Sequence, residues 1–254
     1  MIEWVLGLGA LALAGLVAVC LRQRARVAEL NARLGIAAGE LQRLQESCAR
    51  FAPATVVDRL LTDGPEATAE RKEVTALFAD VVGYTTLAEQ LDPPILARVL
   101  NGYYQRMSDA IAQHSGHVST FVGDGILAYF GAFEPNPWQS DDAVRAALAM
   151  RQALAGYNCE LRAEGLSALA IGIGLHRGVV LAGLVGTRER IEYACIGRTV
   201  NVAARVQGLT RTHDADILIT EAVRERLDPA FPLVPRPAMP IKGIAEPIVT
   251  FAVS

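Results

Sequence analysis

The chain has 254 residues, 52% of them hydrophobic, which is enough for one domain with a single large core plus appendages. Its formal net charge of −3 provides no basic field for a polyanion, so nucleic acid is excluded as the expected partner. Cys20, Cys48, Cys159 and Cys195 form no C-x-x-C pair, and His114, His117, His176 and His213 show no ligand spacing, so neither a zinc site nor a disulfide framework is expected.

Residues 1–21 are predicted to be a transmembrane helix. The run from Trp4 to Leu21, about eighteen residues, carries no charge and is just long enough to span a hydrocarbon core. Glu3 precedes it and Arg22, Arg24 and Arg26 follow, the reverse of a secretory signal peptide. The positive-inside rule then gives a single pass through a bacterial-type inner membrane, with the remainder in the cytoplasm. Over residues 22–52, Val27, Leu30, Leu34, Ala37, Leu41, Leu44, Cys48 and Phe51 are spaced three and four apart. Such a heptad seam predicts a parallel coiled coil fed by the membrane helix, or else an amphipathic helix lying on its own domain. Gly35 and Gly39 weaken that helix by about 1 kcal/mol each relative to Ala. Pro53 ends it, and residues 53–72, with "TDGPEATAERKE", read as a polar linker.

From Glu73 to the end, short apolar runs alternate with helical ones. Strands are expected over residues 74–79, 118–122 and 126–130, with helices over 93–114 and 141–162. The stretch "ALAIGIGLHRGVVLAGLVG" reads as two strands turning at Arg177 and Gly178. Their order is βαββαβ, an α+β ferredoxin-like arrangement with the helices on one face and the other face left for a ligand or partner.

Two carboxylates sit where this topology brings strand ends together. Asp80 ends the first strand in "ALFADVVGYTT", and Asp124 occupies the tight turn Gly123-Asp124-Gly125 between the central strands. An Asp in a turn is by itself more often structural. Two of them converging beside apolar strands suit hard divalent cations that also hold phosphate oxygens. Following Asp80, the backbone of "VVGYT" is able to turn N–H groups toward phosphates. Asn201 and Arg205 are four apart on an expected helix and share one face, with guanidinium donors suited to spreading negative charge.

The motifs "VTALFADVVGYTTLAEQL", "GHVSTFVGDGILAYFG", "IGIGLHRGVVLAGLVG" and "YACIGRTVNVAARVQGL", with the terminal "IKGIAEPIVTF", resemble those of the class III nucleotide cyclases, the adenylate and guanylate cyclases among them. The resemblance covers residues 73–254 and implies a palm-type cyclase domain. It implies that Asp80 and Asp124 bind two divalent ions, Mg²⁺ or Mn²⁺, that Asn201 and Arg205 stabilise the transition state, and that Lys242 contacts the terminal phosphates. The implied partner is a second copy of the chain, in a homodimer whose active sites are shared. The implied reaction is intramolecular: the ribose 3′-OH of a nucleoside triphosphate attacks the α-phosphate and expels pyrophosphate.

The resemblance breaks at the two positions that read the base, which here are Thr120 and Ala194. Adenine-reading and guanine-reading pairs are both absent, because Ala194 has no side-chain hydrogen-bonding group and Thr120 is short. Three readings stay open. One is a pyrimidine cyclase making cUMP or cCMP in antiviral defence, with Tyr84 a candidate for closing the smaller pocket. A second is an adenylate cyclase with non-standard adenine recognition. The third, from a different class, is a non-catalytic nucleotide-binding signalling module.

Overall fold

Residues 22–24, 26–43, 69–187, 191–242, 244 and 246–254 are those described by the computed structural model. The expected membrane helix lies outside them, as do Leu44, Cys48 and Phe51 of the heptad seam and all but the last four residues of the expected linker. Among the described residues no helix is long and apolar enough to cross a membrane.

The chain divides into two compact units, Met1–Val57 and Asp58–Ser254. In the first, residues 22–24 and 26–43 are helical, and the second of these stretches is α1. Glu29 and Arg33, one turn apart, form an ion pair on it. The seam residues Val27, Leu30, Leu34 and Leu41 are all exposed in the single chain.

The second unit is built on one eight-stranded sheet. Its strands are β1 (Glu70–Val81), β2 (Gly116–Val122), β3 (Gly125–Phe130), β4 (Ile171–Gly186), β5 (Ile191–Ile196), β6 (Ile217–Thr220), β7 (Leu233–Met239) and β8 (Ile248–Val253). They run in the order β2-β3-β1-β4-β6-β8-β7, with β5 paired to the far half of β4. The helices are α2 (Tyr84–Gln90), α3 (Pro93–Ala112), α4 (Gln139–Ala163), α5 (Arg198–His213) and the short α6 (Glu221–Arg224). The first four strands in space, β2-β3-β1-β4, are antiparallel and form the expected ferredoxin-like core. Beyond it, β6 adds parallel to β4, and the β7–β8 hairpin closes that edge.

Alternation along the strands sorts side chains onto two faces. Leu77, Ala79 and Val81 of β1 join Ile171, Ile173 and Leu175 of β4 in the main core, beneath Tyr103, Met107 and Ile111 of α3 and Val144, Ala147 and Met150 of α4. The even-numbered residues Val74 and Ala76 face the other way, with Leu127, Tyr129, Val180, Ala182 and Cys195. Asp80 continues that second face.

One expectation is corrected here. Residues 171–186 are a single strand of 16 residues with no turn at Arg177 and Gly178. Arg177 lies in register with Thr75, and its guanidinium is tied to Glu73 and Ser140. Gly178 serves close approach instead of a turn, since a Cβ there would stand 2.7 Å from Thr199 Oγ1 at the start of α5. Gly174 and Gly172 repeat the device. A Cβ on Gly174 would lie 2.2 Å from the Gln207 backbone nitrogen, and one on Gly172 2.2 Å from Thr210 Oγ1. Three glycines on one face of β4 thus form a bare track on which α5 rests. The face expected to be left open by the helices is therefore partly covered by α5.

Candidate active site

Asp80 is the penultimate residue of β1, and Asp124 sits in the turn between β2 and β3. Because β3 pairs antiparallel with β1 from Thr75–Phe130 to Ala79–Ile126, the turn lands beside the end of β1. Gly125 keeps the turn itself tight: a Cβ there would be 3.1 Å from the Val122 carbonyl oxygen, and only in ordinary contact with Asp80 Oδ1 at 3.4 Å. Asp124 Oδ2 accepts a hydrogen bond from the Val81 backbone N–H at 3.2 Å, which sets its carboxyl group beside that of Asp80, close enough for each to feel the other's charge.

The electrostatics follow from that proximity. Burial pushes the Asp80 carboxyl up to about 6, and the neighbouring Asp124 carboxyl pushes the same way. Arg211 and the Val81 N–H pull against them. Arg211 Nη2 stands 3.9 Å from Asp80 Oδ2, but its side chain is 56% exposed, so solvent screens the pair and it offsets little. Below the carboxylates the Tyr103 hydroxyl is wholly buried with no hydrogen-bond partner in the structure, and burial together with the charges of Asp80 and Asp124 raises its pKa. Two like charges forced together at rigid strand ends, with only an exposed cation opposite, fit a divalent metal. Among the described residues no cluster of three acidic, His or Cys ligands exists, so the remaining coordination positions suit phosphate oxygens and water.

The turn is fixed from a third side. Gly123 has φ 61°, a conformation that favours glycine, and its carbonyl accepts a hydrogen bond from the Tyr104 hydroxyl of α3. The Tyr104 ring packs on Phe121 with centroids 4.4 Å apart. Sequence reasoning missed Tyr104 and Arg211 alike, because each meets the site through the folded chain and neither belongs to a local pattern.

The other expected site residues are placed elsewhere. Asn201 is exposed and Arg205 half-buried on α5. Arg211, at the far end of the same helix, is the residue that meets Asp80. Ten residues, about 15 Å of helix, separate it from Asn201. Lys242 is exposed in the connection between β7 and β8. Tyr84 is the first residue of α2 and packs, half-buried, against the main core.

Thr120 owes its orientation to a β-bulge. Val118 is in register with Ala128, yet Thr120 is in register with Leu127, leaving Ser119 as the extra residue. Val118 therefore packs with the main core, whereas Thr120 lines up with Leu127 on the face that carries Asp80. Ala194 is half-buried on β5, in register with Gly183. Tyr129 ties the two regions together: its hydroxyl donates to the Cys195 carbonyl at 3.3 Å and interacts with the Ser119 side chain.

Residues 67–254 match the family described as the adenylate and guanylate cyclase catalytic domain. The chain belongs to that family. It is 36% identical over 209 residues to an adenylate cyclase of Anabaena cylindrica, covering 79% of this chain and 41% of the relative. It is 35% identical over 153 residues to adenylate cyclase 1 of Rhizobium meliloti strain 1021, covering 60% of this chain and 23% of the relative. The chain thus spans less than half the length of these relatives. Among solved structures, the guanylyl cyclase Cya2 is similar at 31% identity and TM-score 0.69, over 73% of this chain and 93% of that one. The adenylyl cyclase CyaB of P. aeruginosa is similar at 28% identity and TM-score 0.70, over 73% and 95%. The cyclase domain is accordingly an α+β palm-type unit, as expected, and its first strand begins at Glu70.

Proposed function

We propose that the protein is a nucleotide cyclase that converts a nucleoside triphosphate into a 3′,5′-cyclic nucleotide and pyrophosphate. The observation that carries this reading is the Asp80–Asp124 carboxylate pair at the end of β1, within a domain of the cyclase family. Divalent ions, Mg²⁺ or Mn²⁺, held by that pair would supply positive charge to the triphosphate. Arg205 presents a fork of donors to the charge that spreads over the α-phosphate, and the Asn201 amide orients the ribose. Lys242 meets the terminal phosphates. Attacking oxygen and phosphorus belong to one molecule, so orientation replaces a second-order encounter.

We infer that the working unit is a homodimer in which Asn201 and Arg205 of one protomer serve the carboxylates of its partner. Supporting this, about 15 Å of helix separates Asn201 from the end of α5 that touches Asp80. In addition, Leu181 and Ile196, in register across β4 and β5, stay exposed beside Val179 and offer an apolar patch to a second copy. The exposed heptad seam of α1 supports a coil that holds the two domains together. The uncharged run Trp4–Leu21 followed by three arginines supports a single-pass inner-membrane anchor with the cyclase domain in the cytoplasm.

ATP is the first substrate reading, because relatives at 35–36% identity are adenylate cyclases. UTP or CTP is the second, favoured by Thr120 and Ala194, neither of which demands the polar edge of a purine. An antiviral role follows only from that second reading. Incubating the purified protein with Mn²⁺ and each of the four ribonucleoside triphosphates, then identifying products by mass spectrometry, decides between them. Nucleotide binding without any cyclic product points instead to a non-catalytic signalling module.

A further inference from the structure

We propose that Tyr104 is the positioning residue of the metal-binding turn: its hydroxyl holds the Gly123 carbonyl and so sets the direction from which Asp124 meets Asp80. The proposal rests on the reading of Asp80 and Asp124 as a metal pair, and it concerns what holds that pair in register.

The geometry begins on α3, where two consecutive tyrosines divide their tasks. Tyr103 turns into the main core and is fully buried. Tyr104, one position on, reaches the tip of the β2–β3 hairpin and donates to the Gly123 carbonyl oxygen, across 19 residues of sequence. Its ring lies on Phe121 at 4.4 Å and 38°, so the same hairpin that accepts the hydroxyl also packs against the ring. Burial and the neighbouring Tyr84, Asp124 and Asp80 raise the pKa of the phenol. It therefore stays protonated, and a donor, at neutral pH.

The consequence for Asp124 follows from peptide planarity. The Gly123 carbonyl and the Asp124 nitrogen belong to one rigid plane, so fixing the oxygen fixes the N–Cα bond of Asp124. Without that anchor the plane is the loosest element of the turn, because Gly123 visits positive and negative φ at similar cost. Asp124 Oδ2 is held at the other end by the Val81 N–H. The carboxylate is thus clamped between β1 and α3. Tyr104 touches no substrate atom in this account and acts through Asp124.

The test is Tyr104→Phe in the full chain, which keeps the ring on Phe121 and removes only the hydroxyl. Mn²⁺ binding to nucleotide-free protein is read by electron paramagnetic resonance, with thermal unfolding and the Mn²⁺ dependence of turnover measured alongside. One hydrogen bond's contribution, which corresponds to about a tenfold change, is expected as a tenfold weaker Mn²⁺ affinity. The half-saturating Mn²⁺ concentration for turnover should rise by the same factor while kcat at saturation falls less, and Tm should stay within about 2 °C. Phe121→Leu, which loosens the ring and leaves the hydroxyl, should weaken Mn²⁺ less than Tyr104→Phe does. Tyr104→Phe protein that binds Mn²⁺ as tightly as wild type overturns the proposal and leaves the metal pair standing, as does a loss that excess Mn²⁺ fails to recover. Wild-type protein without Mn²⁺ binding, or Asp80→Asn protein that binds it equally well, overturns the metal reading and this proposal with it.

Discussion

The carboxylate end and the proposed base end of the candidate site are built differently. Asp124 is gripped beside Asp80 by a backbone N–H of β1 and by Tyr104 through the turn. Thr120 is exposed on the edge strand β2, and its hydroxyl makes only a 3.4 Å contact to the carbonyl of the next residue. Ala194, on β5, offers a methyl group. Fixed geometry is concentrated where charge must be opposed, whereas the positions proposed to choose a substrate are exposed or half-buried strand residues that accept substitution at little cost to the fold. The carboxylate layer and the proposed base-reading layer therefore sit apart: Thr120 shares the face of Asp80, whereas Ala194, in register with Gly183 beside the Ala182–Cys195 pair, lies on the opposite face, and each layer has its own way of being broken.

The largest effect is expected at the carboxylate end. Asp80→Ala and Asn201→Ala proteins should each lose about a thousandfold in kcat, the size of several kcal/mol of transition-state stabilisation. Co-expressed in equal amounts with free exchange, they should recover roughly a quarter of wild-type activity, since about half the dimers carry one intact site. Absence of recovery would falsify the shared-site arrangement and move Asn201 into its own protomer's site.

The glycine track beneath α5 comes next. A Cβ at Gly174 collides with the backbone of Gln207, which cannot rotate away. Gly174→Ala should therefore cost about 3 kcal/mol by overpacking, roughly a hundredfold in the folding constant, and lower Tm in calorimetry. Gly208→Ala, where a Cβ meets nothing within 4 Å, should not lower it. Equal Tm values for the two variants would separate α5 from β4.

At the proposed base end the effect shrinks to substrate choice. Thr120→Lys combined with Ala194→Thr should raise kcat/KM for ATP relative to UTP and CTP by about tenfold, near 1.4 kcal/mol of differential binding. The Mn²⁺ affinity of the double variant should match wild type, because the two layers are separate. A wild-type preference for ATP of a hundredfold would remove the pyrimidine reading.

The smallest effect is on pH. Asp80 has its folded-state pKa raised from 3.8 to about 6. The metal-free protein therefore gains stability from the protonated form at low pH and loses it as pH rises through about 6. Metal binding has the opposite sign, because the ion needs the ionised carboxylate. Apparent Mn²⁺ affinity should fall about twofold from pH 7 to pH 6, and more steeply below. Asp80→Asn protein should lack the stability change altogether, and a Tm profile identical to that of wild type would place the titration on another group.

Local signals made the two carboxylates legible. Asp80 closes an apolar run and Asp124 sits between two glycines, and β pairing of short neighbouring strands then leaves few ways to arrange them. The ferredoxin-like order was legible for the same reason, since each strand and helix announces itself by its own period. Residues 171–186 were not, because glycines that admit a helix backbone look in one dimension like glycines that turn a chain. Nor does sequence spacing announce the bulge at Ser119, although that single residue moves Thr120 from the core face to the site face.

The sequence by itself determined which residues carry charge, which segments alternate and which strand ends bring Asp80 and Asp124 together, because these depend on periods of two or 3.6 and on turn chemistry over a few positions. Only the tertiary structure decided that Tyr104 holds the turn, that Arg211 and not Asn201 meets Asp80 within one chain, and that α5 rests on bare backbone at Gly172, Gly174 and Gly178. Each of these contacts joins residues far apart in the chain, and their meeting depends on how whole elements stack, which no local pattern records.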